Sequence, residues 1–123
     1  MQELRIHRGI RNSQICFFEN WFEDDESIYI MLEYCPNKTL YDLVRERKTL
    51  HELEVQCYGL QLLSALQYMK QNQIVHRDIK PSNLLLGHNL EIKLGDFGLA
   101  VKLNFVGERR SSTCGTPNYM APE

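Results

Sequence analysis

The residues best suited to chemistry lie in the segment His76–Asn83 and in the Asp-Phe-Gly segment that begins at Asp96. Asp78 could accept a proton from a hydroxyl group, and Lys80 could meet the charge of a phosphate. Asn83 and Asp96 could supply oxygen ligands to Mg²⁺, which prefers such hard donors. Phosphoryl transfer needs mainly positioning and electrostatic stabilisation, so these side chains together favour that chemistry.

The order of the motifs makes this interpretation specific. Taken alone, the tripeptide at 76–78 fits a solvated loop aspartate equally well. The octet at 76–83, followed by Asp-Phe-Gly at 96–98 and Ala-Pro-Glu at 121–123, is hard to reach by chance. Pro81 fixes φ inside the octet and prevents a preceding helix from continuing, so the loop can aim several side chains at one point.

The composition sets the outer limits. A chain of 123 residues with 43% hydrophobic residues can form one small domain or part of one. The net charge of −2 and the pI near 6.1 favour neither a nucleic acid nor an anionic membrane as a partner. The charged N-terminus does not resemble a signal peptide, and no run approaches the roughly 20 apolar residues of a membrane span.

The four cysteines are scattered and contain no CxxC pair. This pattern is typical of reduced thiols in an intracellular protein, and it argues against a structural zinc site. We expect a soluble protein of the cytoplasm or the nucleus.

The elements that must position the chemical residues can be read from periodicity and turn signals. Residues 2–10 are typical of a helix that ends near Gly9. No internal domain boundary is evident. The remaining predicted elements are strands 15–22 and 28–34 around an acidic turn, a helix 39–47 capped by Asn37 or Thr39, a helix 52–71 and short strands 84–86 and 90–94. This order places the octet before a hairpin and Asp96 directly after it.

On these motifs the sequence resembles the eukaryotic protein kinases. The resemblance implies an α+β, protein-kinase-like fold that is incomplete, with an N-lobe portion at 1–34 and the hinge, catalytic loop and activation segment at 35–123. It also implies ATP and Mg²⁺ as cofactors and proteins as substrates.

The resemblance assigns roles in the octet and beyond it. Asp78 is similar to the catalytic base, while Asn83 and Asp96 are similar to the Mg²⁺ ligands. Lys80 matches the residue that neutralises transferred phosphate and contacts the position of Thr116. Tyrosine kinases usually carry Ala and Arg after His-Arg-Asp, so this octet favours Ser/Thr specificity.

The segment Ile28–Cys35 resembles the strand and hinge that hold adenine. Leu32 would be the gatekeeper, and the Glu33 carbonyl and Cys35 amide would bind the adenine edge. Leu85 would form the apolar floor under the base. Without the resemblance, each would be interpreted as a core residue.

Glu3 resembles the helix residue that pairs with the ATP-binding lysine, although a helix glutamate is usually just solvated. His76 and Phe97 are expected to stack in the core. Arg77 matches a position that clamps a phosphorylated loop, for which Ser112 and then Thr113 are the favoured acceptors. The alternative is a polar loop without a regulatory role.

Among the kinases, the chain is most similar to the polo-like family, which suggests a cell-cycle role and a centrosome or spindle location. The matches include the approach to the hinge and the ending at 107–123. The octet and His51–Glu54 depart from that family, and polo boxes are not among these 123 residues. Neither departure changes a residue to which the resemblance assigns a catalytic role.

A second hypothesis is a catalytically inactive kinase fragment that acts as a binding or regulatory module. No GxGxxG segment and no VAIK-type lysine precede Glu3 within this sequence. We therefore expect the isolated 123 residues to fold poorly and to lack measurable kinase activity.

Overall fold

The computed structural model describes residues 2–105, 107–108 and 114–122. Short helices and paired strands alternate along these residues, which confirms the α+β class. The elements are α1 (Gln2–His7), β1 (Phe18–Glu23), β2 (Ile28–Leu32), α2 (Leu40–Arg47), α3 (Glu52–Gln71), β3 (Ile74–Val75), β4 (Leu84–Leu86), β5 (Ile92–Leu94) and β6 (Val101–Lys102). Single 3₁₀ turns lie at Pro81–Asn83 and Pro117–Tyr119. None of the helices in the described part is long and apolar enough to cross a membrane.

The predicted hairpin is confirmed as the antiparallel pair β1–β2. Its acidic turn is closed by Oδ1 of Asp24, which accepts hydrogen bonds from the backbone amides of residues 26 and 27 at 2.9 and 2.7 Å. The hairpin is shorter than predicted at the start of β1 because Ile15 bridges Leu94 instead. The Cys16 amide likewise donates to the Leu94 carbonyl at 2.9 Å, so this segment runs beside β5.

Side-chain caps define the two longer helices. Oγ1 of Thr39 accepts a hydrogen bond from the Asp42 amide at 3.1 Å, so Thr39 rather than Asn37 caps α2. Nδ2 of Asn37 instead donates to the Gly87 carbonyl at 2.6 Å. His51 caps α3 as part of a capping box with Glu54. Helix α3 has the predicted bounds.

One side of α3 packs on the core of the described chain. Tyr58, Ala65 and Met69 are buried in a cluster with β4 and β5. The opposite side is apolar but open to solvent, since Leu60 and Leu63 are more than 60% exposed.

The strands β4 and β5 pair antiparallel and contribute to the hydrophobic core. Leu86, Ile92 and Leu94 are fully buried there. A third antiparallel pair, β3 with β6, was not predicted, because strands of two residues carry no periodic signal. Strand β3 leads directly into His76 and β6 follows Ala100, so this pair holds the octet beside the Asp-Phe-Gly segment.

Candidate active site

His76 ties the octet to the segment that carries Asp96. Its Nε2 donates to the Gly95 carbonyl at 2.9 Å, and its Nδ1 accepts from the Asp78 amide at 3.3 Å. The buried ring also meets the edge of Phe97, with centroids 4.9 Å apart. Burial lowers the pKa of His76, so the ring is neutral, as these two hydrogen bonds require. The structure therefore shows the core stacking predicted for His76 and Phe97.

Asp78, Lys80 and Thr116 form a closed triangle of polar contacts. Nζ of Lys80 lies 2.7 Å from Oδ2 of Asp78 and donates to Oγ1 of Thr116 at 2.7 Å. The Thr116 hydroxyl donates in turn to Oδ1 of Asp78 at 2.6 Å. The hydrogen bond from Lys80, and then that from Thr116, lower the pKa of Asp78. The carboxylate is therefore ionised at neutral pH and is held in one orientation.

Asn83 lies against the same carboxylate. Its Nδ2 donates to the Asp78 carbonyl at 2.8 Å and to Oδ2 at 3.1 Å. Neither hydrogen bond uses Oδ1 of Asn83, which leaves that oxygen for another partner. The Asn83 carbonyl accepts from the Gly95 amide at 2.9 Å, so the octet is joined at a second point to the residue before Asp96.

Asp96 is exposed at the end of β5. Its φ of 58° lies in the left-handed region, and its Oδ1 accepts from the Gly98 amide at 3.3 Å. Arg77 has a similar φ of 71°. Left-handed backbone is costly for such residues and is concentrated at functional sites. Both strained residues flank the proposed chemistry.

The donor set of Asn83 and Asp96 fits Mg²⁺, because an amide oxygen and a carboxylate are hard ligands. The described residues contain no cluster of three or more His, Cys, Asp or Glu side chains that could hold a metal by itself. A cation at this place would need further oxygens from a bound phosphate, as Mg²⁺ in nucleotide sites does. The assignment stays a prediction.

One of the predicted adenine-binding residues, Glu33, forms an ion pair. Oε1 of Glu33 lies 2.6 Å from Nζ of Lys93, and Oε2 accepts from the Phe17 amide at 2.9 Å. Burial alone would raise the pKa of Glu33, but the hydrogen bonds from Lys93 and Phe17 outweigh it and lower the pKa. Lys93 pairs with Leu85 across β4–β5, so this ion pair connects the hinge with the strand that would lie under the base.

Leu85 packs tightly on the approach to Asp96. A Cβ placed on Gly95 would lie 3.1 Å from Cδ1 of Leu85, which is tighter than an ordinary contact. Leu32 and Cys35 are half-buried at the two ends of the hinge. The structure thus brings Leu85 beside Asp96 and Glu33 beside Lys93, while the binding roles of these residues stay predictions.

Glu3 lies beside the Asp-Phe-Gly segment. A Cβ placed on Gly98 would lie 3.7 Å from Oε2 of Glu3. One turn later, the fully buried His7 packs its ring on Phe97, with centroids 4.6 Å apart. Its Nε2 donates to the Cys16 carbonyl at 2.7 Å. The sequence analysis gave His7 no role, although its spacing from Glu3 places both residues on one helix face.

The segment 114–122 meets the octet at Gly115. Gly115 has a φ of 109°, and a Cβ there would lie 2.5 Å from the Arg77 carbonyl oxygen. Nε of Arg77 donates to the Leu99 carbonyl at 2.8 Å. The predicted phosphate acceptors Ser112 and Thr113 lie outside the described residues.

A groove of about 300 Å³ opens beside Asp78. It is lined by Arg77, Asp78, Ile79, Cys114, Thr116, Tyr119, Met120 and Ala121. An extended segment bound there would pass the carboxylate, because the octet forms one wall and the 114–121 segment forms the other.

Comparisons with known proteins identify the family of the chain. The protein kinase domain family matches residues 1–123. The whole chain is 54% identical to a probable serine/threonine-protein kinase CCRP1 of Zea mays, of which it covers 20%. Over 99% of the chain it is 44% identical to the serine/threonine-protein kinase polo of Drosophila melanogaster, of which it covers 21%.

A third relative is the cell cycle serine/threonine-protein kinase CDC5/MSD2 of Saccharomyces cerevisiae, 43% identical over the whole chain, which covers 17% of it. The chain thus spans about a fifth of the length of these relatives. Several of the relatives carry the name polo or PLK. The chain belongs to the protein kinase family, among serine/threonine kinases that include the polo-like kinases.

Proposed function

We propose that the protein containing this chain is a polo-like serine/threonine kinase that transfers the γ-phosphate of ATP to Ser and Thr hydroxyls of proteins. The observation that carries this proposal is the triangle of Asp78, Lys80 and Thr116. It presents an ionised carboxylate and an ammonium group within 2.7 Å of each other at the edge of an open groove. Such a pair can orient a hydroxyl group and neutralise the charge of a transferred phosphate, which answers the positional and electrostatic demands of phosphoryl transfer.

In this proposal Asp78 orients the substrate hydroxyl and accepts its proton. The lowered pKa keeps the carboxylate ionised before transfer. Lys80 is held between Asp78 and Thr116, where it can neutralise charge on the transferred phosphate. A hydroxyl held in the 114–121 groove would approach Asp78 from the side of Thr116.

ATP would lie between the hinge and the Asp-Phe-Gly segment. The Glu33 carbonyl and Cys35 amide would bind adenine, with Leu32 as gatekeeper and Leu85 as floor. Bound Mg²⁺ would neutralise phosphate charge, with Asn83 and Asp96 as its protein ligands. Glu3, which lies beside Gly98, would form an ion pair with an ATP-binding lysine. Residues 1–34 would then belong to the N-lobe, and 35–123 to the hinge, catalytic loop and activation segment.

Regulation by phosphorylation is the second part of this proposal. Arg77 lines the groove beside Cys114 and Thr116, close to where the chain leaves the segment that carries Ser112 and Thr113. A phosphate there would carry a charge of roughly −1.5 to −2, which a guanidinium group can bind. A cell-cycle role inside the cell follows from the same resemblance.

The test is a transfer assay on the protein at its full length, with ATP, Mg²⁺ and matched peptides that differ only in a central Ser, Thr or Tyr. The proposal predicts transfer to the Ser and Thr peptides and little to the Tyr peptide. Transfer to Tyr alone, or to none of the peptides in the presence of Mg²⁺, contradicts it. That the isolated 123 residues lack this activity stays a separate prediction.

A further inference from the structure

Two cysteine side chains meet at the carbonyl of Glu33. Sγ of Cys16 lies 3.6 Å from this oxygen and Sγ of Cys35 lies 3.9 Å from it. The two thiols come from opposite sides of the hairpin, because Cys16 precedes β1 and Cys35 follows β2.

The hairpin register explains why these thiols meet. The Glu33 amide donates to the Phe17 carbonyl at 2.8 Å, which extends the antiparallel pairing past the end of β2. This pairing keeps the residues just before β1 next to the residues just after β2. A disulfide needs two cysteines whose side chains reach the same place, and here both Sγ atoms contact one carbonyl oxygen. Cys16 is buried and Cys35 is half-buried, so an oxidant would reach Cys35 first.

We propose that Cys16 and Cys35 are a redox modification site, which hydroperoxides convert into a disulfide across the hinge end of the hairpin. The bond would tie the segment before β1 to the chain that follows β2. It would also remove both S–H donors from the Glu33 carbonyl. The proposal does not depend on phosphoryl transfer, because its product is a covalent bond between two named sulfurs.

The chemistry balances with one hydroperoxide. The Cys35 thiol attacks the O–O bond, its sulfur is oxidised to the sulfenic acid, and the peroxide is reduced to an alcohol, or to water from hydrogen peroxide. Cys16 then attacks the sulfenic sulfur. The S–S bond forms as the S–O bond breaks, and the hydroxyl leaves as water with the proton of Cys16.

The surroundings set the rate of this reaction. Burial raises the pKa of Cys16 to about 12, and it also raises the pKa of Cys35. Glu33 raises both pKa values further, Glu91 raises that of Cys35, and Lys93 lowers both. The thiolate is the nucleophile, so oxidation is slow at neutral pH and accelerates about tenfold per pH unit below the thiol pKa. The shared position of the two thiols at the Glu33 carbonyl favours their pairing over reaction with other partners.

The experiment treats the protein at its full length with hydrogen peroxide at pH 7, 8 and 9, blocks remaining thiols and maps linked peptides by mass spectrometry. We expect a link between Cys16 and Cys35 to predominate over any link that includes Cys57 or Cys114. It should grow faster with rising pH and be reversed by dithiothreitol. The same treatment in urea should lose this preference, because the unfolded chain does not hold the thiols together.

The matched variant is Cys16→Val, which removes one thiol at a buried position while keeping an apolar side chain of similar size. In this variant Cys35 should accumulate as a sulfenic acid that dimedone labels, whereas the unaltered protein should show little labelling. Cys35→Ser should leave Cys16 reduced. A predominant link to Cys57 or Cys114 in the folded protein, or equal dimedone labelling of Cys35 with and without Cys16, would overturn the proposal.

Discussion

The hydroxyl of Thr116 donates a 2.6 Å hydrogen bond to Oδ1 of Asp78. A residue of the 114–121 segment therefore orients the carboxylate that we propose as the catalytic base. The other oxygen, Oδ2, is held by Lys80 at 2.7 Å and by Nδ2 of Asn83 at 3.1 Å. Both oxygens of Asp78 are therefore oriented before a substrate arrives. The 114–121 segment takes part in the site directly as well as lining the groove.

Replacing Thr116 with Val should remove this hydrogen bond while keeping the shape of the side chain. We expect kcat to fall about tenfold or more, since hydrogen bonds to charged groups are worth roughly 1.5–3 kcal/mol. The measurement is steady-state transfer to a Ser peptide by the protein at its full length. Thr116→Ser keeps the hydroxyl and should retain most of the activity. Equal losses in the two variants would show that the hydroxyl is not the important group.

Gly115 should not tolerate a side chain. Its φ of 109° would oppose Gly115→Ala, and so would the Arg77 carbonyl oxygen, which lies 2.5 Å from the position that the new Cβ would take. We expect a loss on the order of 1–3 kcal/mol in the free energy of unfolding, or displacement of the segment with loss of activity. Gly107→Ala is the control, because Gly107 also has a positive φ, of 89°, but no atom of the residues that the structure describes lies within 4 Å of its Cβ position. If both variants lose the same stability and activity, contact with Arg77 is not the cause.

Gly59 offers the opposite change. It lies in the interior of α3, and in the described part of the chain nothing approaches within 4 Å of a Cβ placed there. Glycine costs a helix interior roughly 0.5–1 kcal/mol relative to alanine, so Gly59→Ala should raise the free energy of unfolding by about that amount. Urea denaturation measures it. A loss of stability would mean that another part of the protein packs against this position.

Two buried histidines should make stability depend on pH. Burial lowers the pKa of His7 and His76 below their ordinary value of 6.5, so the folded state binds fewer protons than the unfolded state. Their contribution is fully present above pH 6.5 and is lost as the pH falls below it toward the folded pKa values. His7→Leu should reduce this dependence, measured by urea denaturation between pH 8 and 5.

The matched control for that experiment is His88→Gln, which alters an exposed histidine on the turn between β4 and β5. We expect this change to alter the slope of stability against pH less than His7→Leu does, because this ring is not buried. An equal reduction of the slope by His7→Leu and His88→Gln would contradict the assignment to the buried ring. The stabilisation that paired carboxylates such as Asp78 provide is lost at lower pH than the contribution of the histidines, so the two effects can be separated.

Local signals predicted several parts of this fold well. The bounds of α3 follow from its long helical periodicity, and Thr39 caps α2 as its residue type suggests. The pairing of β3 with β6 was not predictable, because two-residue strands depend on partners distant in the chain. Ile15 was assigned to the hairpin for the same reason: only the fold shows that it pairs with Leu94 instead.

The candidate site shows a similar division. The motif order predicted Asp78, Lys80, Asn83, Asp96 and Thr116 as site residues. The structure places Lys80, Asn83 and Thr116 in contact with Asp78, while the roles of all five stay predictions. The fit of Gly115 on Arg77 depends on backbone approach, which residue types do not reveal. His7 was missed since a buried histidine and an exposed one look alike in sequence. Its contact with Phe97 becomes evident only when α1 is placed on the Asp-Phe-Gly segment.

The central claim is that Asp78 acts on the substrate hydroxyl, and Asp78→Asn in the protein at its full length tests it most directly. The amide keeps the shape of the side chain but cannot accept the proton. We predict that kcat falls by roughly 10²–10⁴, the usual contribution of general acid–base catalysis, while the affinity for ATP stays within a few-fold. The measurement pairs single-turnover transfer with ATP-binding titration. Near-normal turnover by the Asn variant would contradict the account.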